Sequence, residues 1–262
     1  MSGAEIISVR GLRKRYGTVM ALDGVSFSVD SGEAFGIVGP NGAGKTTIME
    51  CLVGLRKADG GEIRVLGLDP VHQGRRLHER IGVQLQESAL PEAIKVEEAL
   101  CLFASLYPHA VDTRALLSCW GLEQKRKVRF AALSGGQRQR LFIALALVND
   151  PTVVFLDELT AGLDPKARRA SWNLIDDLRV RGVTVVLVTH AIEEAEALCD
   201  RVAIMDHGRL LALDTPGRLI RDMVRDSAVG SRGRRRAATL EDAYLAMTSG
   251  AAAERKASRC MQ

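Results

Sequence analysis

Residues 39–47 read Gly-Pro-Asn-Gly-Ala-Gly-Lys-Thr-Thr, and Gly39 to Thr46 fill every fixed position of the pattern G-x-x-x-x-G-K-[ST]. Glycines at 39, 42 and 44 let the backbone curl until successive N–H groups point inward, and such a nest holds phosphate oxygens. A helix that opens at the lysine adds the positive end of its dipole. Lys45 then reaches the terminal phosphates and the Thr46 hydroxyl takes a magnesium ion, with Asn41 and Thr47 in the same cradle. The run Ile37-Val38 before the loop reads as a strand and Ile48–Leu55 after it as a helix, which is the setting this chemistry requires.

Val153-Val154-Phe155-Leu156-Asp157-Glu158 is an apolar strand ending in two acids. A carboxylate at the C-terminal edge of a sheet stands beside phosphates held at that edge, so Asp157 suits the metal. Neighbouring side chains at a strand end point different ways, which leaves Glu158 to orient or deprotonate a water. Leu133-Ser134-Gly135-Gly136-Gln137 precedes a further helical segment and forms a second anion-binding nest without a lysine. One nucleotide does not need two cradles. Two chains arranged head to tail would use both.

These residues are carried by an alternating pattern. Ile6–Val9, Val25–Val29, Ala34–Val38, Glu62–Leu66 and Arg80–Gln86 read as short strands, Val153–Leu156 and Val183–Val188 as strands buried on both faces. Gln137–Val148, Arg168–Arg181 and Ile192–Leu198 read as helices between them, and residues 87–135 as an α-helical insertion. The class is α/β with an antiparallel N-terminal portion. The domain expected over residues 5–225 is followed at 226–262 by a basic linker and a short helix starting at Thr239-Leu240-Glu241-Asp242, with Leu240, Tyr244 and Met247 on one face.

The 262 residues carry a net charge of +4, all of it contributed by nine basic and five acidic residues from Arg221 onward. A neutral core argues against nucleic acid as a partner. No apolar run approaches the roughly 18–20 residues of a spanning helix, the first residues lack a secretory pattern, and five scattered cysteines form no C-x-x-C pair. A soluble cytosolic chain is the expectation.

In its ordered motifs the sequence resembles the ATP-binding subunits of ABC transporters over nearly all of residues 5–220, with Leu133–Gln137 matching the family signature at all five positions. The resemblance implies a P-loop NTPase fold with a RecA-like core, an N-terminal antiparallel β subdomain and an α-helical signature subdomain. It implies ATP and Mg²⁺, bound by the loop, Thr46 and Asp157, with Glu158 as catalytic base. It further implies that Tyr16 stacks on adenine and that Gln86 contacts the metal and water. By the same resemblance His190 senses the terminal phosphate, and Ser134, Gly135, Gly136 and Gln137 act on the partner's nucleotide. The loop Ala161–Asp164 matches the one that crosses the dimer.

The family commonly has proline after the glutamate; Leu159 here frees φ and restores an N–H, so a slightly more mobile loop is expected. Ile81–Gln86, Leu102–Tyr107 and Thr239–Met247 resemble bacterial drug- and antibiotic-export ATPases of the daunorubicin-resistance, ABC-2 kind, with lipid, polysaccharide and haem exporters as near alternatives. Such subunits form dimers, usually of like chains, and sit on the inner face of the membrane beside a separately encoded permease. A groove around residues 87–110 is the expected permease site. A non-transport ATPase acting on ribosomes or DNA is the rival reading, and it usually has two ATPase halves in one chain. The cluster Arg232–Arg236 is either a solvated linker or an arm for nucleic acid or anionic lipid.

Overall fold

The computed structural model describes residues 4–86, 88–160, 163–227 and 238–248. Two sheets form. In the smaller, β1 (Glu5–Tyr16) pairs antiparallel with β2 (Val19–Asp30) and with β4 (Gly60–Val65). The larger runs β5 (Ile81–Gln84), β6 (Val153–Asp157), β7 (Thr184–Thr189), β3 (Ala34–Val38), β8 (Arg201–Asp206), β9 (Arg209–Asp214). Its first five strands are mutually parallel and β9 is antiparallel to β8.

The unbroken apolar character of the parallel strands has a direct cause. Val153 and Phe155 of β6 join one core layer, while Val154 and Leu156 join the other. Side chains alternate sides, and both sides are dry. The first layer is closed by helix α1 (Lys45–Leu52) through Ile48, Met49 and Leu52, and by Val9, Leu12 and Val25 of the small sheet. Phe27 stacks on Phe35 at 5.3 Å between ring centres, fixing one sheet on the other.

After α2 (Gly74–His78) and β5 the chain turns helical, with α3 (Val96–Ala104), α4 (Thr113–Cys119) and two short 3₁₀ turns leading into α5 (Gly135–Ala146). Then α6 (Pro165–Val180) and α7 (Ile192–Leu198) cover the second core layer, and α8 (Pro216–Ser227) follows β9. The observed strands of the hairpin are much longer than the sequence suggests, because polar residues of β1 such as Arg13 and Arg15 occupy its exposed face while Leu12 is buried. The turn closes on Gly17 at φ +56°. The sequence reading marks neither β8 and β9 nor α2 and α8.

A ninth helix, α9, spans 240–248. Thr239 and Asp242 cap it reciprocally. Leu240 and Ala243 are fully buried, Tyr244 and Met247 pack on the core, and the Leu240 N–H donates to Glu196 Oε2 on α7 at 3.0 Å. The helix that the charge pattern grouped with the tail is thus seated on the second core layer. Arg232–Arg236 lie outside the described residues.

Candidate active site

The phosphate loop joins β3 to α1, so it stands at the C-terminal edge of the parallel sheet. Gly44 is the N-cap of α1 at φ +98°, and a Cβ there would stand 2.6 Å from the Ala21 carbonyl. A Cβ on Gly39 would stand 2.4 Å from the Met205 carbonyl. Glycine is required at both for packing, and at Gly44 also for its left-handed backbone. The loop is fastened from behind, since the Gly208 N–H donates to the Ala43 carbonyl at 3.0 Å. Asn41, Gly42 and Thr46 are exposed and Thr47 is half-buried.

Lys45 is buried and its ammonium donates to the carbonyls of Gly39 (2.8 Å) and Pro40 (3.1 Å). Burial lowers its pKa, against the charges of Glu158 and Asp157. Asp157 ends β6, 1% exposed, and neither of its carboxylate oxygens has a hydrogen-bond partner among the described residues. Desolvation first, then the nearby Glu158, pushes its pKa up to about 6 despite Lys45. A buried carboxylate with two idle oxygens is costly unless something cationic joins it. Among the described residues no three His, Cys, Asp or Glu side chains converge as a metal cage. One carboxylate and one hydroxyl beside phosphates is the donor set that suits Mg²⁺, which keeps waters and takes phosphate oxygens as ligands.

Glu158 leaves the strand at φ +51°, with its N–H still bonded to the Val188 carbonyl at 2.8 Å. That backbone turn separates its side chain from that of Asp157. One Glu158 oxygen lies 2.8 Å from His190 Nδ1, and the other accepts from Gln86 Nε2 at 3.4 Å. His190 follows β7 and Gln86 lies just past β5, so the two strands that flank β6 each deliver one partner. Leu159 is fully buried in the second core layer. The freed backbone at this position is thus accompanied by a side chain anchored in the core.

Tyr16 is 40% exposed at the end of β1. Arg56 lies 5.1 Å from its ring centre and Lys14 5.7 Å, each held by an acid, Glu50 and Asp59 respectively. Ser134 caps α5: its hydroxyl accepts from the Gln137 N–H, and the Gln137 side chain accepts from the Ser134 N–H. Ser134 and Gly135 are exposed, and no hydrogen bond among the described residues joins Ser134–Gln137 to the Lys45–Asp157–Glu158 group. Gly136 instead faces Ala167 of α6, whose N-cap Asp164 accepts from the N–H groups of Lys166 and Ala167. Ala161 and Gly162 lie outside the described residues. Gln84, buried beside this group and bonded to the Asp157 carbonyl, is a residue the sequence reading passes over.

Residues 22–161 match the family model described as ABC transporter. A protein of Ralstonia nicotianae named Nod factor export ATP-binding protein I is 43% identical over 220 residues, which is 82% of this chain and 68% of that one. A solved structure described as the ATP-binding subunit of an ABC transporter superposes with a TM-score of 0.79 at 28% identity, covering 93% of this chain and 99% of the other. A dimeric bacterial ABC transporter cassette matches with a TM-score of 0.70 at 27% identity, over 80% of this chain and 98% of that one.

Proposed function

Because the chain belongs to the ABC transporter family as an ATP-binding domain, we propose that it hydrolyses ATP between two copies of itself to drive a separately encoded exporter permease. The observation that carries the chemistry is the Glu158 carboxylate, held between His190 and Gln86 and next in the chain to the unpartnered Asp157.

In this reading the backbone nest of residues 39–45 and the α1 dipole bind the phosphates, and Tyr16 stacks on adenine. Asp157 and Thr46, with Gln86, would hold Mg²⁺, which would supply charge neutralisation at the phosphate oxygens. Glu158 takes a proton from a water whose oxygen bonds to the terminal phosphorus as the bond to the ADP oxygen breaks. His190 fixes the rotamer of Glu158 through Nδ1, and its other ring nitrogen, Nε2, is the atom left to address the phosphoryl oxygens. Ser134 and Gly135, both exposed, would close with Gly136 and Gln137 over a second copy's nucleotide, with Asp164 near the crossing. The dimeric cassette among the matched structures supports that pairing.

The permease would dock in the cleft between α3, β5 and α5. Two grooves of about 320 and 250 Å³ lie there, shared by Val83, Ser88, Phe103, Leu145 and Ala146. Leu55, Leu102 and Leu106 are more than half exposed nearby, an apolar surface of the kind that a partner covers. Among the described residues no helix is long and apolar enough to cross a membrane, so attachment at the inner face would come through this cleft. The relatives' names support export; they give no ground for preferring a drug or antibiotic cargo.

Purified Glu158→Gln should bind ATP, accumulate as a dimer with Mg²⁺, and release phosphate at least about 100-fold more slowly than the unaltered chain. Undiminished phosphate release would overturn the role given to Glu158, and an unaltered chain without ATPase activity would overturn the function.

A further inference from the structure

Gln84 is the last residue of β5 and is 5% exposed. Its amide spans three elements. Its oxygen accepts from Gln139 Nε2 of α5 at 3.3 Å, and its nitrogen donates to the carbonyls of Leu85 at 3.0 Å and Asp157 at 3.4 Å. The same side chain lines the 250 Å³ groove, with Val83, Phe103 and Phe142. β5 and α5 approach so closely that a Cβ on Gly82 would stand 1.9 Å from the Ala146 carbonyl. The two elements therefore have no slack to absorb a shift of one against the other.

Gln139 belongs to the helix that Ser134 caps, while the Asp157 carbonyl belongs to the strand end that bears the metal carboxylate and Glu158. A buried amide is expensive to leave unbonded, so movement of α5 has to be followed at Gln84 or lose these bonds.

We propose that Gln84 is the positioning residue that couples α5 and the docking groove to the Asp157–Glu158 strand end, with Gln139 as its partner. The inference rests on the dimeric ATPase reading. In a head-to-tail dimer α5 addresses the neighbour's nucleotide and β6 its own, so Gln84 links the two nucleotides' sites. Gln86, two residues on, donates to the Glu158 side chain; Gln84 acts instead on the backbone, at the Asp157 carbonyl.

The test is phosphate release against ATP concentration for the purified full chain, with Gln84→Leu, Gln139→Ala and the double variant. The unaltered chain should give a sigmoidal curve. Each single variant should lower kcat by about fivefold or more, the scale of one lost hydrogen bond, and bring the Hill coefficient to unity. Binding of a non-hydrolysable ATP analogue to the monomer should stay unchanged, and the double variant should be no worse than either single one. A purely structural role would lower the melting temperature and leave kcat and Hill coefficient where they were; that result overturns the proposal, as does additivity. Should Gln84→Leu not fold, Gln139→Ala, on a half-buried face, decides the matter alone. An unaltered chain that does not hydrolyse ATP counts against the function reading, whereas an active chain indifferent to both substitutions counts against Gln84.

Discussion

His190 Nδ1 lies 2.8 Å from Glu158 Oε1, although 32 residues separate them in the chain. The His190 side chain is about half exposed while that of Glu158 is 9% exposed, so the histidine forms the outer wall of a carboxylate facing inward. Removing the ring frees the carboxylate to rotate and opens its flank to water. His190→Ala should therefore lower kcat by about 100-fold with little change in ATP affinity, the range for loss of a positioned acid–base partner. Steady-state phosphate release and equilibrium binding of an ATP analogue check the two halves. A loss confined to KM would assign His190 to binding.

Asp157 links stability to pH. The folded chain holds the Asp157 proton up to about pH 6, whereas the usual carboxyl value is 3.8. A raised acid pKa means that the folded state binds the proton more tightly, so stability is lost as pH rises from about 4 to 6 and is not regained above. The size is on the order of 3 kcal/mol. Asp157→Asn has no proton to release. Its melting temperature in the absence of Mg²⁺ should exceed that of the unaltered chain by roughly 5 °C or more at pH 8. The gap should shrink at pH 4.5, and ATPase activity should be abolished. A gap independent of pH would refute the assignment.

In the proposed reading Tyr16 stacks on the base, and the groups over its ring are Arg56 and Lys14 rather than Glu158. Tyr16→Ala should raise the KM for ATP by about tenfold and leave kcat within about twofold, given stacking energies of roughly 1–3 kcal/mol. Tyr16→Trp should restore the lower KM. A comparable loss in kcat would mean that the hairpin also shapes the catalytic group.

Leu240 is 1% exposed in the second core layer. Leu240→Ala should cost about 2–4 kcal/mol in urea unfolding, the range for a buried leucine. A change below about 0.5 kcal/mol would show α9 undocked in solution.

How much the sequence revealed depended on how local each feature is. The loop at 39–47 and the acid pair at 157–158 are readable because turn, dipole and charge occur within a few residues. The α9 start was readable for the same reason, through Thr239 and Asp242. Its docking was not, because the partner Glu196 is 44 residues away. The Gln84–Gln139 bond spans 55 residues and joins two ordinary amides, so composition carries no trace of it. Strand β1 extends past the apolar run read at Ile6–Val9 because pairing with β2 carries it through Arg13 and Arg15 on the exposed face, a long-range pairing that short apolar alternation does not signal. Leu159 was judged by its backbone alone, and its side chain proved to be core.

The small sheet has a consequence for how this engine could diversify. Tyr16 is borne by the antiparallel hairpin, while the phosphate loop and both acids are borne by the parallel sheet, and the two are joined across the Phe27–Phe35 stack. In the proposed reading, recognition of the base and cleavage of the phosphate are thus borne by different sheets, which meet where Ala21 of the hairpin backs Gly44 of the phosphate loop. A change at Tyr16 would retune the base site alone, whereas one that shifts Ala21 would reach the loop that holds the phosphates.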